Sequence, residues 1–160
     1  MKKIVLLLTV VGILTSCGKK DELNLVKTDL LQYGVPITIK APKTATFESS
    51  DLAGLRGVVI TDSMSYFQLS AYANPITTSD VTQYKAEKLG TERARETFTK
   101  LIQEDRDGFI YESKWDEQTT GFQFVYFVVA GDKYYTLENI GNSILTLEEA
   151  KRIYNAIRAK

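Results

Sequence analysis

Hydrophobic and polar residues alternate along much of the chain, and this period of two predicts β-strands. In residues 65–72, Phe67 and Leu69 share one face and polar side chains occupy the other, which indicates a half-buried strand. Residues 121–131 are apolar on both faces, so this strand is expected at the centre of a sheet, with layers above and below it. The other predicted strands are residues 35–40, 45–48, 57–61, 108–114 and 134–137.

Two stretches repeat their apolar residues at helical spacing instead. Residues 81–104 are predicted to form an amphipathic segment of one helix or two, which begins after Asp80 with Gln83 as its capping partner. Its apolar face consists of Ala94, Phe98, Leu101 and Ile102. A second helix begins at Thr146-Leu147-Glu148-Glu149, a capping box, and ends near residue 160. Its apolar face consists of Leu147, Ala150, Ile153, Tyr154 and Ile157.

The order of these elements predicts an α+β fold. Short connections between strands favour antiparallel pairing, and one doubly buried strand with two amphipathic helices indicates helices on both faces of one sheet. Residues 33–160 are therefore expected to form a single globular domain, and the polar residues 17–32 a tether in front of it.

The first seventeen residues predict where the protein works. Lys2 and Lys3 precede an apolar run that ends at Leu14, and this run is shorter than the about 20 residues that a membrane-spanning helix needs. Leu14-Thr15-Ser16-Cys17 resembles the lipobox of bacterial lipoproteins. The resemblance implies that residues 1–16 are a signal peptide and that Cys17 carries acyl chains, so that the membrane is a partner of the protein.

Residues 18–22, with the sequence Gly-Lys-Lys-Asp-Glu, look like the export signal of lipoproteins that some Gram-negative bacteria display on their surface. A solvated linker is the alternative interpretation of so short a motif. The expected location is therefore the outer membrane, with the domain facing either the periplasm or the cell exterior.

Composition excludes several classes of function. Removal of residues 1–16 leaves an excess of two acidic side chains and no concentrated basic segment, so nucleic acid is not an expected partner. The chain contains no histidine, which excludes Ser-His-Asp and Cys-His nucleophile systems and the common zinc sites. Its one cysteine is the predicted acylation site. We therefore expect a protein that is not an enzyme and has no cofactor.

The segment Gly34-Val35-Pro36-Ile37-Thr38-Ile39-Lys40-Ala41-Pro42, followed by a long central helix, paired aromatic strands and a terminal helix, resembles the PsbP-like α/β/α sandwich. DcrB-like periplasmic lipoproteins share this fold. The resemblance covers residues 33–160 and implies a non-catalytic accessory domain that docks on partner proteins.

Acidic residues offer two further chemical hypotheses. Asp105, Asp107 and Gly108 have the spacing of a calcium loop, but position 114, where such a loop needs a glutamate, is Lys114. A helix-to-strand turn is the preferred interpretation, and no metal site is expected. The carboxylates of Glu112, Asp116 and Glu117 would suit acid-base chemistry on a glycoside at the right separation, and otherwise belong to a solvated loop.

Aromatic residues supply the candidate binding surface. Five of them would stack on a sugar or contact a protein if exposed, and would form core or cross-strand pairs if buried. We select Tyr111, Trp115, Tyr134 and Tyr135 from this group, whose fifth member is Tyr126. The expected function is that of a lipid-anchored envelope protein that binds another protein as an accessory or assembly factor. An envelope inhibitor or immunity protein is the alternative, and a carboxylate-dependent hydrolase is a more distant one.

Overall fold

The computed structural model describes residues 24–52, 55–141 and 143–158. The predicted signal peptide, the acylation site Cys17 and the charged residues 18–22 lie outside the described residues. Within the described part of the chain, no helix is long and apolar enough to cross a membrane.

Seven strands form one antiparallel sheet with the order β3-β4-β5-β9-β8-β7-β6. Strand β8 has a partner on each side, as its doubly apolar sequence predicts. The hairpin between β8 and β9 turns at Gly131, whose φ of +64° is easily adopted without a side chain. The strands are β3 Thr46–Leu52, β4 Leu55–Asp62, β5 Phe67–Pro75, β6 Phe98–Glu104, β7 Gly108–Lys114, β8 Thr120–Ala130 and β9 Lys133–Glu138.

A separate two-stranded ribbon precedes this sheet. It pairs β1 (Leu25–Asp29) with β2 (Thr38–Pro42) through a 3-10 turn at Leu31–Tyr33. Alternation in β2 and the residues before it buries Val35, Ile37, Ile39 and Ala41 in the main core, as the sequence pattern predicts. The ribbon contains much of the predicted tether, so the ordered domain begins before residue 33.

Helix α1 spans Val81–Arg93 and α2 spans Leu147–Arg158. The capping box at the start of α2 is confirmed, because the carboxylate of Glu149 accepts from the backbone N–H of Thr146 at 2.8 Å. Asp80 caps α1 as predicted, but its partner is Thr82, which donates its N–H at 2.9 Å. Gln83, the predicted partner, donates to Glu87 instead.

The prediction that α1 continues to residue 104 is wrong, because residues 98–104 form strand β6. Register shifts next to Phe98 and after Leu101 place these two residues opposite Ser113 and Tyr111, which share one face of β7. A bulged strand therefore puts residues three apart on the same face and imitates helical spacing. Ile102, assigned to the same helix face, packs on the opposite side of the sheet.

The helices lie on opposite faces of the sheet. Alternate residues of β8 show this, because Phe124 belongs to the core under α2 whereas Val125 and Phe127 belong to a smaller core under α1. The β1–β2 ribbon packs on the α2 side. The fold is α+β with a mainly antiparallel sheet and helices packed on it, which confirms the predicted class.

Candidate functional site

The inner surface of α1 is polar, which is unusual for a helix packed on a sheet. Tyr84 and Leu89 are buried there, but so is Glu92, whose side chain is 2% exposed. Lys88 lies one turn before Glu92 on the same face and is half-buried. Burial of a carboxylate is costly unless cations and hydrogen-bond donors compensate it, so the surroundings of Glu92 identify a specialised site.

Three groups surround the Glu92 carboxylate. Lys88 Nζ lies 3.1 Å from Oε1, and Arg95 Nε lies 3.2 Å from Oε2. The hydroxyl of Tyr111, from strand β7, donates to Oε2 at 3.1 Å. The carboxylate is therefore engaged by a cation from α1, a cation from the turn that follows α1, and one donor from the sheet.

Lys88 also connects α1 to a second carboxylate on the sheet. Its Nζ lies 3.2 Å from Glu138 Oε2, while Glu138 Oε1 accepts from the Tyr72 hydroxyl at 3.0 Å. Burial alone would lower the pKa of Lys88, but the nearby carboxylates of Glu138 and Glu92 outweigh it and the pKa is raised. The ammonium group therefore stays charged at neutral pH and joins both acids.

The two tyrosines of this network keep their protons. Burial, followed by the charge of Glu138, raises the pKa of Tyr72 above its usual value of 10.0. Burial and the charge of Glu92 raise the pKa of Tyr111 in the same way. Both hydroxyls therefore act as fixed donors toward carboxylates rather than as proton-transfer groups at neutral pH.

A cavity of about 330 Å³ opens beside this network. One wall consists of amides that hold each other, because Asn139 Nδ2 donates to Gln123 Oε1 and to Ser143 Oγ. Asn139 Oδ1 in turn accepts from the backbone N–H of Phe124 at 3.1 Å. Side chains that line the cavity and carry its chemistry are Lys88, Glu92, Tyr111, Trp115, Gln123 and Asn139.

Trp115 lies at the edge of the cavity, with 38% of its surface exposed. Its turn is fixed by Asp116, whose Oδ1 accepts from the N–H groups of Gln118 at 2.8 Å and Thr119 at 2.7 Å. These hydrogen bonds lower the pKa of Asp116. Gly121 lies beside the indole, since a Cβ there would be 3.1 Å from Trp115 Nε1. The ring is thus an aromatic surface presented by a rigid turn.

The structure separates the four aromatic residues predicted as a binding surface. Tyr111 and Tyr135 are buried, so they are not exposed contacts; strand alternation points Tyr135 into the α2-side core, and Tyr111 faces Glu92. Tyr134 is half-buried and stacks on Tyr84 with ring centroids 3.7 Å apart. Trp115 alone among the four is both exposed and next to a polar cavity.

Tyr126, the fifth aromatic residue, lies on the other face of the sheet. Its ring packs edge-on against Tyr154 of α2, with centroids 5.9 Å apart. It packs with the core around α2, so the sheet separates it from the Glu92 network under α1.

Three of the acidic residues predicted as alternatives, Asp105, Glu112 and Asp116, have structural partners. Glu112 pairs with Lys100 at 3.0 Å across β6 and β7. Asp105 accepts from the Tyr154 hydroxyl at 3.0 Å and pairs with Arg158 at 3.0 Å, which fixes the turn before β7 to the end of α2. Among the residues that the structure describes, no group of three or more acidic, Cys or His side chains is placed to hold a metal ion.

Sequence reasoning did not identify Lys88, Glu92, Glu138, Gln123 and Asn139. The available signal was local: Lys88 and Glu92 are one turn apart on the face that also carries Tyr84, where an amphipathic helix should be apolar. The mistaken extension of α1 to residue 104 obscured it, because the apolar residues of β6 supplied the missing hydrophobic face.

A larger cavity, of about 470 Å³, lies between the β2 region, β8 and the end of α2. Its walls contain core side chains such as Ile39 and Leu137, and the side chains of its charged residues Arg106, Asp107 and Arg158 are each at least about a third exposed. The smaller cavity of about 330 Å³, called the Trp115 cavity from here on, brings the buried carboxylate of Glu92 together with the buried amides of Gln123 and Asn139. This convergence makes it the better candidate for specific recognition.

In comparisons with known proteins, no family model, no curated protein and no solved structure matches the chain.

Proposed function

We propose that this protein is a lipid-anchored protein of the cell envelope whose domain binds a partner protein through the Trp115 cavity. Acylation of Cys17 holds the protein at the outer membrane, and the domain serves as an accessory or assembly factor. The observation that carries the binding role is the cavity itself, where a partly exposed indole borders buried charged and amide groups.

The charges around the cavity indicate what it accepts. Lys88 and Arg95 are matched by Glu92 and Glu138, so the walls present no uncompensated charge. Gln123 and Asn139 add an amide surface, and Trp115 adds an apolar plane. A neutral polar group with a flat or apolar portion, such as a glutamine, asparagine or tyrosine side chain of a partner protein, matches this combination.

The pairing of every acid in the network supports binding over catalysis. A general base needs a carboxylate that is free to take a proton, whereas Glu92 and Glu138 each accept from a tyrosine and face Lys88. Fixed, compensated groups of this kind suit recognition, since the site need not reorganise when a partner enters.

We also propose that the domain is related to the PsbP-like sandwich, which is consistent with a binding function. A mainly antiparallel sheet with one helix on each face supports kinship with the PsbP-like sandwich of DcrB-like lipoproteins, whose domains bind proteins. The β1–β2 ribbon, packed beside α2, would be an addition to that arrangement.

Site-specific photo-crosslinking in intact cells tests the proposal. A photoreactive amino acid at Ile144, which is exposed and adjoins Trp115 over Gly121, should give one discrete adduct. The same group at Leu31, which is exposed in the ribbon turn, should not give that adduct.

Two variants make the experiment specific. Trp115→Ala in the Ile144-labelled protein should abolish the adduct while the protein remains folded, as shown by circular dichroism. Cys17→Ala should move the protein to the soluble fraction and separate loss of anchoring from loss of binding. Identical adducts from positions 144 and 31, or an adduct that persists without Trp115, would contradict the cavity as the binding site.

A further inference from the structure

The turn between β4 and β5 exposes two large apolar side chains. Met64 is 85% exposed and Tyr66 is 61% exposed. Tyr66 also has a φ of +53°, in the left-handed region that bulky residues rarely adopt. Such a conformation persists only where the surroundings impose it, and it is concentrated at functional positions.

Hydrogen bonds hold this turn from both sides. Asp62, which is buried at the end of β4, accepts from the N–H of Ser65 at 3.2 Å and from its hydroxyl. From the other side, Arg152 of α2 donates to the carbonyl oxygen of Ser65. The turn is therefore fixed to the domain, and Met64 and Tyr66 project from a preorganised base.

The chain enters the domain next to this turn. The carbonyl oxygen of Asn24, the first described residue, accepts from the N–H of Lys43 at 3.2 Å. The adjacent Thr44 donates its hydroxyl to Asp62 Oδ1 at 3.2 Å. Cys17 lies seven residues before Asn24, a stretch that spans at most about 25 Å when extended. An acyl anchor on Cys17 would therefore keep this end of the domain close to the lipid surface.

We propose that the turn carrying Met64 and Tyr66 docks on the lipid surface that holds Cys17 and so fixes the orientation of the domain. This inference rests on the proposed acylation of Cys17. The anchor supplies the affinity for the membrane, and the short tether raises the local concentration of the turn at the surface, so a weak contact suffices to orient the domain.

The chemistry of the turn fits a lipid headgroup region. Tyrosine is enriched at membrane interfaces because its ring is apolar and its hydroxyl is polar. Lys43 is exposed beside the turn and Arg152 lies behind it, while the nearest acid, Asp62, is engaged in hydrogen bonds. The neighbouring cations suit lipid phosphates.

The Trp115 turn provides a contrast at the same end of the sheet. Antiparallel pairing of β5 with β9 and of β9 with β8 brings the start of β5 and the start of β8 to one end. The residues after Trp115 are Asp116 and Glu117, which an anionic lipid surface repels. The Met64 turn therefore touches the lipid, and the cavity opens beside the membrane toward a partner located there.

Fluorescence quenching on the acylated, full-length mature protein tests this inference. With Cys17 acylated, Ser63→Cys supplies a single free thiol in the turn and leaves Met64 and Tyr66 in place. The thiol carries a polarity-sensitive fluorophore, and the protein is reconstituted in vesicles of phosphatidylethanolamine and phosphatidylglycerol. Leu31→Cys, labelled in the same way, is the control, because Leu31 lies at the end of the ribbon opposite to the point where the chain enters.

Docking predicts that lipids brominated near the headgroup quench the label at position 63 and leave the label at position 31 bright. Iodide in the buffer should quench position 63 with an about fivefold lower constant, since a docked turn lies within the headgroup boundary. Replacement of the apolar pair, by Met64→Ser with Tyr66→Asn, should restore iodide access at position 63. Equal access at 63 and 31, or protection that survives this replacement, would overturn the inference.

Flotation of the unlabelled protein keeps the two proposals apart. If wild-type protein floats with the vesicles, Cys17→Ala does not, and position 63 is still open to iodide, anchoring stands and turn docking is wrong. If wild-type protein fails to float, anchoring itself is wrong and the inference falls with it. Protection at position 63 that requires added envelope proteins would assign the turn to a protein partner and would likewise overturn lipid docking.

Discussion

The two faces of the seven-stranded sheet are covered in different ways. Helix α2 buries Ala150, Ile153, Tyr154, Ala156 and Ile157 against one face, where the main core also includes the ribbon. Helix α1 buries two apolar side chains and a carboxylate, Glu92, against the other. Both helices are about equally long, so the difference lies in the chemistry of the inner surface.

This difference separates stability from recognition. Apolar burial on the α2 face stabilises the fold in proportion to area, whereas buried ion pairs contribute little net stability because desolvation offsets their attraction. Retention of Lys88, Glu92 and Glu138 on the α1 face therefore requires another reason, and the cavity beside them provides one.

Ile153→Ala on the α2 face should cause the largest loss of stability. Ile153 is fully buried in the main core, and removal of such a side chain leaves a cavity that costs about 3–4 kcal/mol. Urea unfolding of the variant should show this loss as a lower midpoint. A loss below about 1 kcal/mol would show that the α2 face does not dominate stability.

Glu92→Ala should lower the free energy of unfolding by less than Ile153→Ala does, by about 2–3 kcal/mol, because Lys88 still has Glu138 as a partner after the change. The double variant Lys88→Met with Glu92→Leu should recover much of that loss, since apolar residues of similar volume replace a buried pair well. The double variant should nevertheless fail to form the crosslink from position 144. If the double variant kept both wild-type stability and wild-type crosslink yield, the network would be needed neither for folding nor for partner binding.

Alkaline pH should weaken the polar network under α1. Burial and the charges of Glu138 and Glu92 raise the pKa of Tyr72 and Tyr111 above 10.0. The folded state then holds these protons more tightly than the unfolded chain, so their contribution is complete below pH 10 and is lost as pH rises through the folded pKa. Each group lowers the free energy of unfolding by up to about 1.4 kcal/mol per pH unit in that range.

Lys88 acts in the same direction above its usual pKa of 10.5, because its pKa is also raised in the folded state. On the α2 face, burial and then Asp105 raise the pKa of Tyr154. Chemical unfolding between about pH 9 and 11.5 should show a shallower decline of the free energy of unfolding for Tyr72→Phe with Tyr111→Phe than for Tyr154→Phe, because the double variant removes two such hydroxyls and the single variant removes one. The reverse order would contradict the contribution of Tyr72 and Tyr111 to the stability of the network.

Trp115→Ala should have the smallest effect on stability, about 0.5 kcal/mol or less, because the side chain is partly exposed on a turn. Its effect on partner capture should be the largest of any single change at the cavity rim. Thermal unfolding measures the first and crosslink yield the second. Leu31→Ser, an exposed change in the ribbon turn and outside the cavity, is the matched control and should leave capture intact.

The sequence alone predicted those elements whose residue pattern is local, namely strands with alternating faces and a helix with a capping box. Alternation located β5, β7 and β8, because side chains on a strand point to opposite faces and the two faces of the sheet differ in polarity or are both covered. The Thr146–Glu149 capping box located the start of α2, because that interaction spans three residues.

Tertiary structure decided the rest. The bulges of β6 depend on pairing with β7, so local spacing alone favoured a helix over residues 98–104. The burial of Tyr111 and Tyr135 depends on which neighbours cover each face of the sheet.

The candidate site shows the same division most clearly. The sequence determined that Trp115 follows a strand and that Lys88 and Glu92 are one helical turn apart. Their meeting with Glu138 and the amides of Gln123 and Asn139 requires the packing of α1 on β7, β8 and β9. Contacts between residues distant in sequence are set by how elements pack to bury apolar area, and no local pattern records that choice.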